Sequence, residues 1–207
     1  MPRVLVLAER AHRAIVADCL AHAATEIGGV LPGRTVGDTF VVPFSIPAGP
    51  GAKKTPVRFS PDWCWQQVFV DFLFARFRVD YLGDWHRHPG LFDRPSAHDL
   101  RTARHIVTHP GWDVRQALFP IAVIDGAEVR IRAYLMRRET LEFEEIPIEI
   151  VSDTDPRMTA VLTGMEAPSQ KETLHATERP AGRGRRGAAV CSLLRRFATH
   201  LRPLPRG

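Results

Sequence analysis

The sequence predicts an α/β (α+β) fold in which a mixed central β-sheet is flanked by helices. Apolar segments of strand length alternate, over the first 150 residues, with longer segments that have helical periodicity. Asp125-Gly126 lies between two apolar runs and is a typical hairpin turn, which indicates antiparallel pairing inside the sheet. The chain has 207 residues, 44% of them hydrophobic, which is enough for one ordinary globular core.

Four elements are predicted before residue 47: a strand, a helix and two paired strands. In the helix, Ala11, Ile15 and Cys19 recur near one face, as expected for a helix that packs on a sheet. The glycine-bearing segment 33–38 is predicted to connect the two paired strands. The four elements span residues 3–8, 10–25, 28–32 and 39–46.

A loop and a second helix follow. Residues 47–56 contain Gly49-Pro50-Gly51 and are predicted to form a surface loop, because proline lacks an amide donor and glycine adds backbone entropy. Ser60-Pro61-Asp62 indicates the start of a helix that runs to about residue 76. This helix is expected to carry its apolar residues into the core, namely Val68, Phe69, Phe72, Leu73 and Phe77.

The last elements of the body alternate in the same way. A short strand over 79–83 precedes a helix over 96–109, with a turn between them. Three further strands complete the sheet, and they span residues 118–124, 128–136 and 140–148.

Charge divides the chain into two parts. Residues 151–207 hold 10 of the 28 Lys and Arg but only 5 of the 23 Asp and Glu, so this part carries the whole net charge of +5. The sequence predicts a domain over 1–150 and a basic, largely disordered extension over 151–207. Apolar residues at helical spacing predict a short amphipathic helix at 188–202, although a solvated extension is the simpler interpretation.

The sequence argues against a secreted or membrane protein. The apolar run at 4–8 is shorter than a signal-peptide core, and no stretch approaches the roughly 18 apolar residues of a membrane span. Cys19, Cys64 and Cys191 are scattered and odd in number, which is untypical of a disulfide framework or a thiolate zinc site. The chain is therefore expected to be cytoplasmic.

One segment carries metal-binding chemistry. His86 and His88 lie two residues apart at the end of a predicted strand, so their side chains project to the same side. Asp99 falls in the first turn of the next helix, from which it can reach back to the strand. Two imidazoles and one carboxylate can bind a zinc ion and leave a fourth coordination position for water.

Simpler interpretations exist for each part of this motif. A His-x-His pair on a strand is often exposed or hydrogen-bonded without a metal. Ser96-x-x-Asp99 is also a variant of the helix capping box, in which both side chains satisfy N-terminal amides. The coincidence of the two patterns, with the cap directing Asp99 toward the histidines, favours a metal site.

The motif resembles the JAMM (JAB1/MPN+) zinc metalloprotease family. Its His-x-His-Pro and Ser-x-x-Asp pattern is matched by His86 to Pro89 and Ser96 to Asp99, and the segment from Glu26 to Gly33 resembles its Glu-x-Gly-Gly-x-Leu-x-Gly element. Pro32 departs from the usual residue there. The resemblance covers about residues 1–145 and implies a fold related to that of the cytidine deaminases, whose own zinc-ligand motif is absent here.

The resemblance also implies a role for each residue. His86, His88 and Asp99 are expected to hold one Zn²⁺. Glu26 is expected to act as the general base, and Ser96 to donate a hydrogen bond to the developing oxyanion. An exposed carboxylate at a helix end is the simpler interpretation of Glu26.

The expected partners follow from the family as well. JAMM proteins typically cleave after the C-terminal glycine of ubiquitin or a ubiquitin-like protein, and compact bacterial members process such modifiers in antiphage conjugation systems or sulfur-carrier pathways. Activating or conjugating enzymes of the same operon are expected partners, and loop 47–56 is the candidate substrate-binding segment. A non-catalytic MPN scaffold and a RadC-like DNA-associated protein are the alternatives. No specific nucleic-acid or membrane partner is predicted.

Overall fold

The computed structural model describes residues 3–164 as a mixed β-sheet with helices on both of its faces. No helix in this range is both long and apolar enough to cross a membrane. The strands are β1 (Val4–Ala8), β2 (Ile27–Val36), β3 (Thr39–Val42), β4 (Lys53–Thr55), β5 (Arg58–Ser60), β6 (Asp80–Arg87), β7 (Gln116–Leu118), β8 (Ile121–Asp125), β9 (Glu128–Arg137), β10 (Phe143–Ile146) and β11 (Ile148–Val151). The helices are α1 (Glu9–Ala21), α2 (Trp63–Phe77), α3 (Ala97–Thr108) and α4 (Pro156–Thr163).

The large sheet has nine strands in the order β10-β9-β7-β6-β2-β3-β1-β11, with β8 paired to both β6 and β9. Strand β6 therefore lies in the interior of the sheet, antiparallel to β2 and parallel to β7 and β8. The predicted mixed sheet and its flanking helices are confirmed.

The sheet has two apolar faces, each covered by helices. Leu135 of β9 packs in one buried cluster, which also holds Ile15 of α1. The next residue, Met136, packs in a second cluster with Val107 of α3. Because successive residues of a strand point to opposite faces, α1 and α3 lie on opposite sides of the sheet.

Helix α2 was predicted correctly in position but not in burial. Leu73 is buried and Phe77 half-buried, whereas Val68, Phe69 and Phe72 are exposed, with Val68 exposed by 65%. The expectation that these three residues reach the core is wrong. The helix is apolar on nearly every side, so hydrophobic periodicity could not tell which face meets the sheet.

Two predicted connectors contain strands. Segment 47–56 ends in β4, which pairs with β5 as a separate two-stranded hairpin, so it is a loop only in its first part. Segment 33–38 does not interrupt β2, which continues to Val36 through a register shift between Leu31 and Pro32. That shift occurs at the residue that departs from the family pattern, and it skips Leu82 of β6, as a β-bulge in that strand does.

The folded region extends past the predicted domain boundary at residue 150. Strand β11 pairs in parallel with β1 up to Val151, and α4 buries Met158 and Val161 in the main core. The rest of the predicted extension, including the helix proposed at 188–202, lies outside the described residues.

Gly83 in β6 is required by close contact with the neighbouring strand. A Cβ atom there would lie 1.9 Å from the Leu118 carbonyl oxygen, whereas one at Gly126, in the β8–β9 turn, would meet nothing within 4 Å. Gly83→Ala is expected to lower the free energy of unfolding by about 3 kcal/mol or more. Gly126→Ala should lower the free energy of unfolding by only about 1 kcal/mol, because residue 126 has a positive φ that alanine disfavours. Urea unfolding of both variants tests this, and equal losses would contradict it.

Candidate metal centre

The two histidines of the motif lie at the end of β6 and on the same side of the sheet. His86 pairs with Gly28 of β2, and the His88 amide donates to the Ala122 carbonyl oxygen over 2.9 Å. The absence of a side chain at Gly28 matters, because a Cβ there would lie 3.0 Å from the His86 Cβ and 2.4 Å from the Trp85 carbonyl oxygen. Sheet pairing and a glycine therefore fix the position of both imidazoles.

Asp99 reaches the histidines from the first turn of α3. The Ser96 amide donates to Asp99 Oδ2 over 2.6 Å, and the Asp99 amide donates to Ser96 Oγ over 3.2 Å, which together form a capping box. Asp99 Oδ1 lies 3.3 Å from His86 Nε2, and Asp99 Oδ2 lies 3.3 Å from His88 Nε2. The cap that begins α3 also orients the carboxylate toward β6.

These three side chains can hold a metal ion. Their ligand atoms all lie within 4.8 Å of one another, and the two Nε2 atoms are 2.8 Å apart. His88 Nδ1 is 2.8 Å from the Phe92 carbonyl oxygen, which can only accept a hydrogen bond. In the neutral imidazole the proton therefore resides on Nδ1, which leaves Nε2 with a lone pair for a metal, whereas protonated His88 can also donate from Nε2 to Asp99.

The electrostatics of the site favour a cation. Burial opposes the ionisation of Asp99, but hydrogen bonds with His86 and His88 outweigh it and hold the pKa of Asp99 well below its ordinary value. Burial likewise opposes protonation of His88, yet its hydrogen bond to Asp99 raises the pKa of His88 above its ordinary value. Positive charge between the imidazoles and this carboxylate is thus stabilised.

Glu26 lies immediately before β2 and beside the three ligands. Because Ile27 pairs with Arg87, the antiparallel register places Glu26 opposite His88. The Glu26 amide donates to the Thr55 carbonyl oxygen over 2.9 Å, and the residue is half-buried. Burial raises the pKa of Glu26, while His86 and His88 oppose the rise, so this carboxylate shares the electrostatic environment of the histidines.

The residues flanking the histidines have other contacts. Trp85 is buried, and its indole donates to Ser45 Oγ over 2.9 Å, in agreement with a packing role. The Asp84 carboxylate accepts from the Tyr81 hydroxyl over 2.7 Å, and burial raises the pKa of Asp84 to about 6. The geometry therefore connects Asp84 to Tyr81.

Sequence reasoning missed two residues at this site. Phe92 accepts from His88 through its carbonyl oxygen, and its ring stacks on the imidazole at 5.9 Å between centroids. Arg87 lies between the two ligand histidines and is only 4% exposed. Strand alternation could have indicated that Arg87 points to the face of the sheet opposite His86 and His88. The contact made by Phe92 could not be predicted in this way, because it depends on the conformation of a loop.

A family model described as prokaryotic homologs of the JAB domain matches residues 8–139. The chain belongs to this family. The match includes Glu26 and the whole segment from His86 to Asp99, so the JAMM/JAB resemblance read from these motifs is confirmed. Membership and the geometry together make this JAB domain a candidate metal-dependent hydrolase.

One solved structure supports the fold of this JAB domain. The solution structure of protein DSY2949 from Desulfitobacterium hafniense is 22% identical, with a TM-score of 0.58, and the match covers 73% of this chain and 95% of that chain. At this identity the likeness concerns the fold alone. No curated protein matches the chain.

Metal binding can be tested with zinc as the probe. The JAB domain is expected to bind one ion per chain and to unfold at a higher temperature with zinc, because a ligand of the native state stabilises it. The gain is about 2.7 kcal/mol when free zinc is 100 times Kd. His88→Ala should lose both effects, and His98→Ala, an exposed neighbour of Asp99, should keep them. Equal zinc binding by both variants, measured by elemental analysis and calorimetry, would contradict the site.

Proposed function

We propose that this JAB domain is a zinc-dependent peptidase or isopeptidase that cleaves after the C-terminal glycine of a ubiquitin-like protein. The observation that carries the proposal is the convergence of three metal-ligand atoms within 4.8 Å, beside a half-buried glutamate. These residues stand in the same chain order as in the JAMM pattern. Two nitrogen ligands and one oxygen ligand form a donor set typical of catalytic zinc.

A zinc ion held by His86, His88 and Asp99 would lower the pKa of a bound water and polarise the substrate carbonyl. The three residues supply two neutral imidazoles and one negative charge, so one positive charge would remain at the site. Three protein ligands also leave room for water and substrate, as hydrolysis requires.

Glu26 is the proposed general base. Its carboxylate accepts a proton from the attacking water and then delivers that proton to the amine that leaves as the C–N bond breaks. The water oxygen stays on the new carboxylate product, so atoms and charges balance. Burial raises the pKa of Glu26, which makes it a stronger base than an exposed glutamate.

Ser96 is the proposed oxyanion donor. Its Oγ accepts from the Asp99 amide in the capping box, and its hydroxyl also makes a side-chain hydrogen bond to the Asp99 carboxylate, so it would donate to the oxyanion by turning from that carboxylate. One such donor aimed at the developing oxyanion is worth about 3–4 kcal/mol in comparable hydrolases. The capping role and the catalytic role therefore use different parts of the same hydroxyl.

The surroundings favour a protein substrate. Leu91 and Phe92, in the loop that follows His88, are 60% and 57% exposed, and Val57 at the tip of the β4–β5 hairpin is 84% exposed. Exposed apolar residues grouped around a site are typical of macromolecular contacts. Strands β4 and β5 form a two-stranded sheet apart from the large one, and an extended C-terminal tail could add as a further strand to this hairpin.

The pathway we propose is a bacterial ubiquitin-like conjugation system, with antiphage defence and sulfur transfer as its two settings. In either setting the partners are the modifier, its precursor or its conjugates. Activating and conjugating enzymes would act upstream, since an isopeptide bond must be formed before it is cleaved.

The general base is tested with a fusion in which the scissile bond follows the C-terminal glycine of a ubiquitin-like protein. Glu26→Gln is expected to reduce kcat by at least about 10²-fold, because the amide cannot accept the proton. Its zinc content should equal that of the wild type. Glu9→Gln, an exposed glutamate on α1, is the matched control and should cleave normally. Undiminished turnover by Glu26→Gln would reject this base.

The two roles of Ser96 can be separated by comparison with another helix cap. Ser96→Ala is expected to cost about 1 kcal/mol of stability and about 10²-fold in kcat. Asp155→Ala removes the N-cap of α4, which lies in another part of the fold, and should cost similar stability without loss of turnover. Thermal unfolding and steady-state kinetics distinguish the two. Equal kcat values for both variants would restrict Ser96 to capping.

A further inference from the structure

The strongest feature outside the ligand set is the buried guanidinium of Arg87. Arg87 lies between His86 and His88, so strand alternation sends its side chain to the opposite face of the sheet, toward α1. The residue is 4% exposed, which is unusual for arginine. A charge buried this deeply requires polar partners.

Those partners are main-chain carbonyl oxygens just beyond the end of α1. Arg87 Nη1 donates to Thr25 O over 2.6 Å, and Nη2 donates to Ala23 O over 2.7 Å. Nη1 also lies 3.5 Å from His22 O. Helix α1 has no basic residue in its last turn, so a side chain from β6 supplies the positive charge that stabilises this end.

The carbonyl oxygens that bind Arg87 belong to residues 22–25. This segment is connected to two parts of the proposed site, the candidate base and the β4–β5 hairpin. Its last residue leads directly to Glu26, whose amide donates to Thr55 O on β4 over 2.9 Å. Its first residue is His22, whose Nε2 lies 2.9 Å from the Lys54 Nζ on the same hairpin. Residues 22–26 thus join the candidate base to the candidate substrate hairpin.

We propose that Arg87 is a positioning residue, which fixes Glu26 and the β4–β5 hairpin relative to the metal ligands on either side of it in β6. The inference rests on the proposed function for its catalytic consequence, but not for its geometry. A guanidinium suits the task because its planar fork presents several donors in fixed directions to neighbouring carbonyls. A lysine ammonium could satisfy only part of this set.

Arg138 provides a matched control. Like Arg87, it donates to several carbonyl oxygens near the end of a helix, in this case those of Val107, Trp112 and Val114 after or within the last turn of α3. It follows β9, and its side-chain hydrogen bonds run to residues 107–114 and not to the segment before Glu26. Arg138→Met therefore removes an equivalent structural interaction elsewhere in the fold.

The experiment compares Arg87→Met, Arg87→Lys and Arg138→Met as full chains loaded with zinc. We expect Arg87→Met to keep one zinc per chain and to lose about 10–100-fold in kcat, because a small displacement of a catalytic group is enough for a loss of this size. Arg87→Lys should recover part of that loss. Arg138→Met should lower the unfolding temperature by a similar amount and keep its kcat.

A second measurement reports on the position of Glu26 and does not depend on enzymatic activity. Hydrogen exchange of the Glu26 amide, which is bonded to Thr55 O, should be faster in Arg87→Met and unchanged in Arg138→Met. If Glu26→Gln is inactive while Arg87→Met keeps its kcat, the positioning role is overturned and the proposed function stands. If the wild type cleaves nothing, the proposed function fails, and the positioning role of Arg87 is then tested by hydrogen exchange alone. Equal exchange in both arginine variants overturns the inference.

Discussion

The candidate site depends on one interaction above all, the antiparallel pairing of β2 with β6. The register that pairs Gly28 with His86 also pairs Ile27 with Arg87, so it places Glu26 beside the candidate metal ligands, although sixty positions separate Glu26 from His86 in sequence. A slip of one residue would turn every side chain of β6 to the other face of the sheet. The register shift between Leu31 and Pro32 skips Leu82 of β6 and lies on the far side of these pairs, so the register at the site is kept.

The second constraint is that the N-terminus of α3 carries Asp99, the third candidate ligand. In the capping box of α3, each of Ser96 and Asp99 bonds to the backbone amide of the other. The cap restricts rotation of the Asp99 side chain in the folded protein. The entropy cost of ordering this side chain therefore belongs to folding and does not weaken metal binding. Stability and preorganisation come from the same pair of hydrogen bonds, and for that reason the simple interpretation of Ser96-x-x-Asp99 as a cap did not exclude a site.

The sequence predicted what depends on short-range patterns. The His86-x-His88 spacing and the cap at Ser96 are local, and both agree with the structure. Glu26 could be assigned only through the family resemblance, because its approach to His88 depends on strand pairing across the sheet. The prediction of which α2 residues are buried was wrong for a related reason. Phe72 is as apolar as Leu73, and only the position of the sheet decides which of them is covered. The pairing of β4 with β5 was hidden because segment 47–56 is rich in residues that disfavour strands.

Arg87 shows how the two faces of the sheet divide their tasks. A buried cation near a metal site would weaken metal binding if its charge were unbalanced, since like charges repel more strongly where water is excluded. Here the guanidinium points away from the histidines, and the carbonyl dipoles beyond α1 accept its hydrogen bonds. Its charge is therefore stabilised by these carbonyl groups, while Asp99 could balance the charge of a metal ion on the other face. The alternation of β6 thus places the Arg87 guanidinium and the histidines that could hold a metal ion on opposite faces of the sheet.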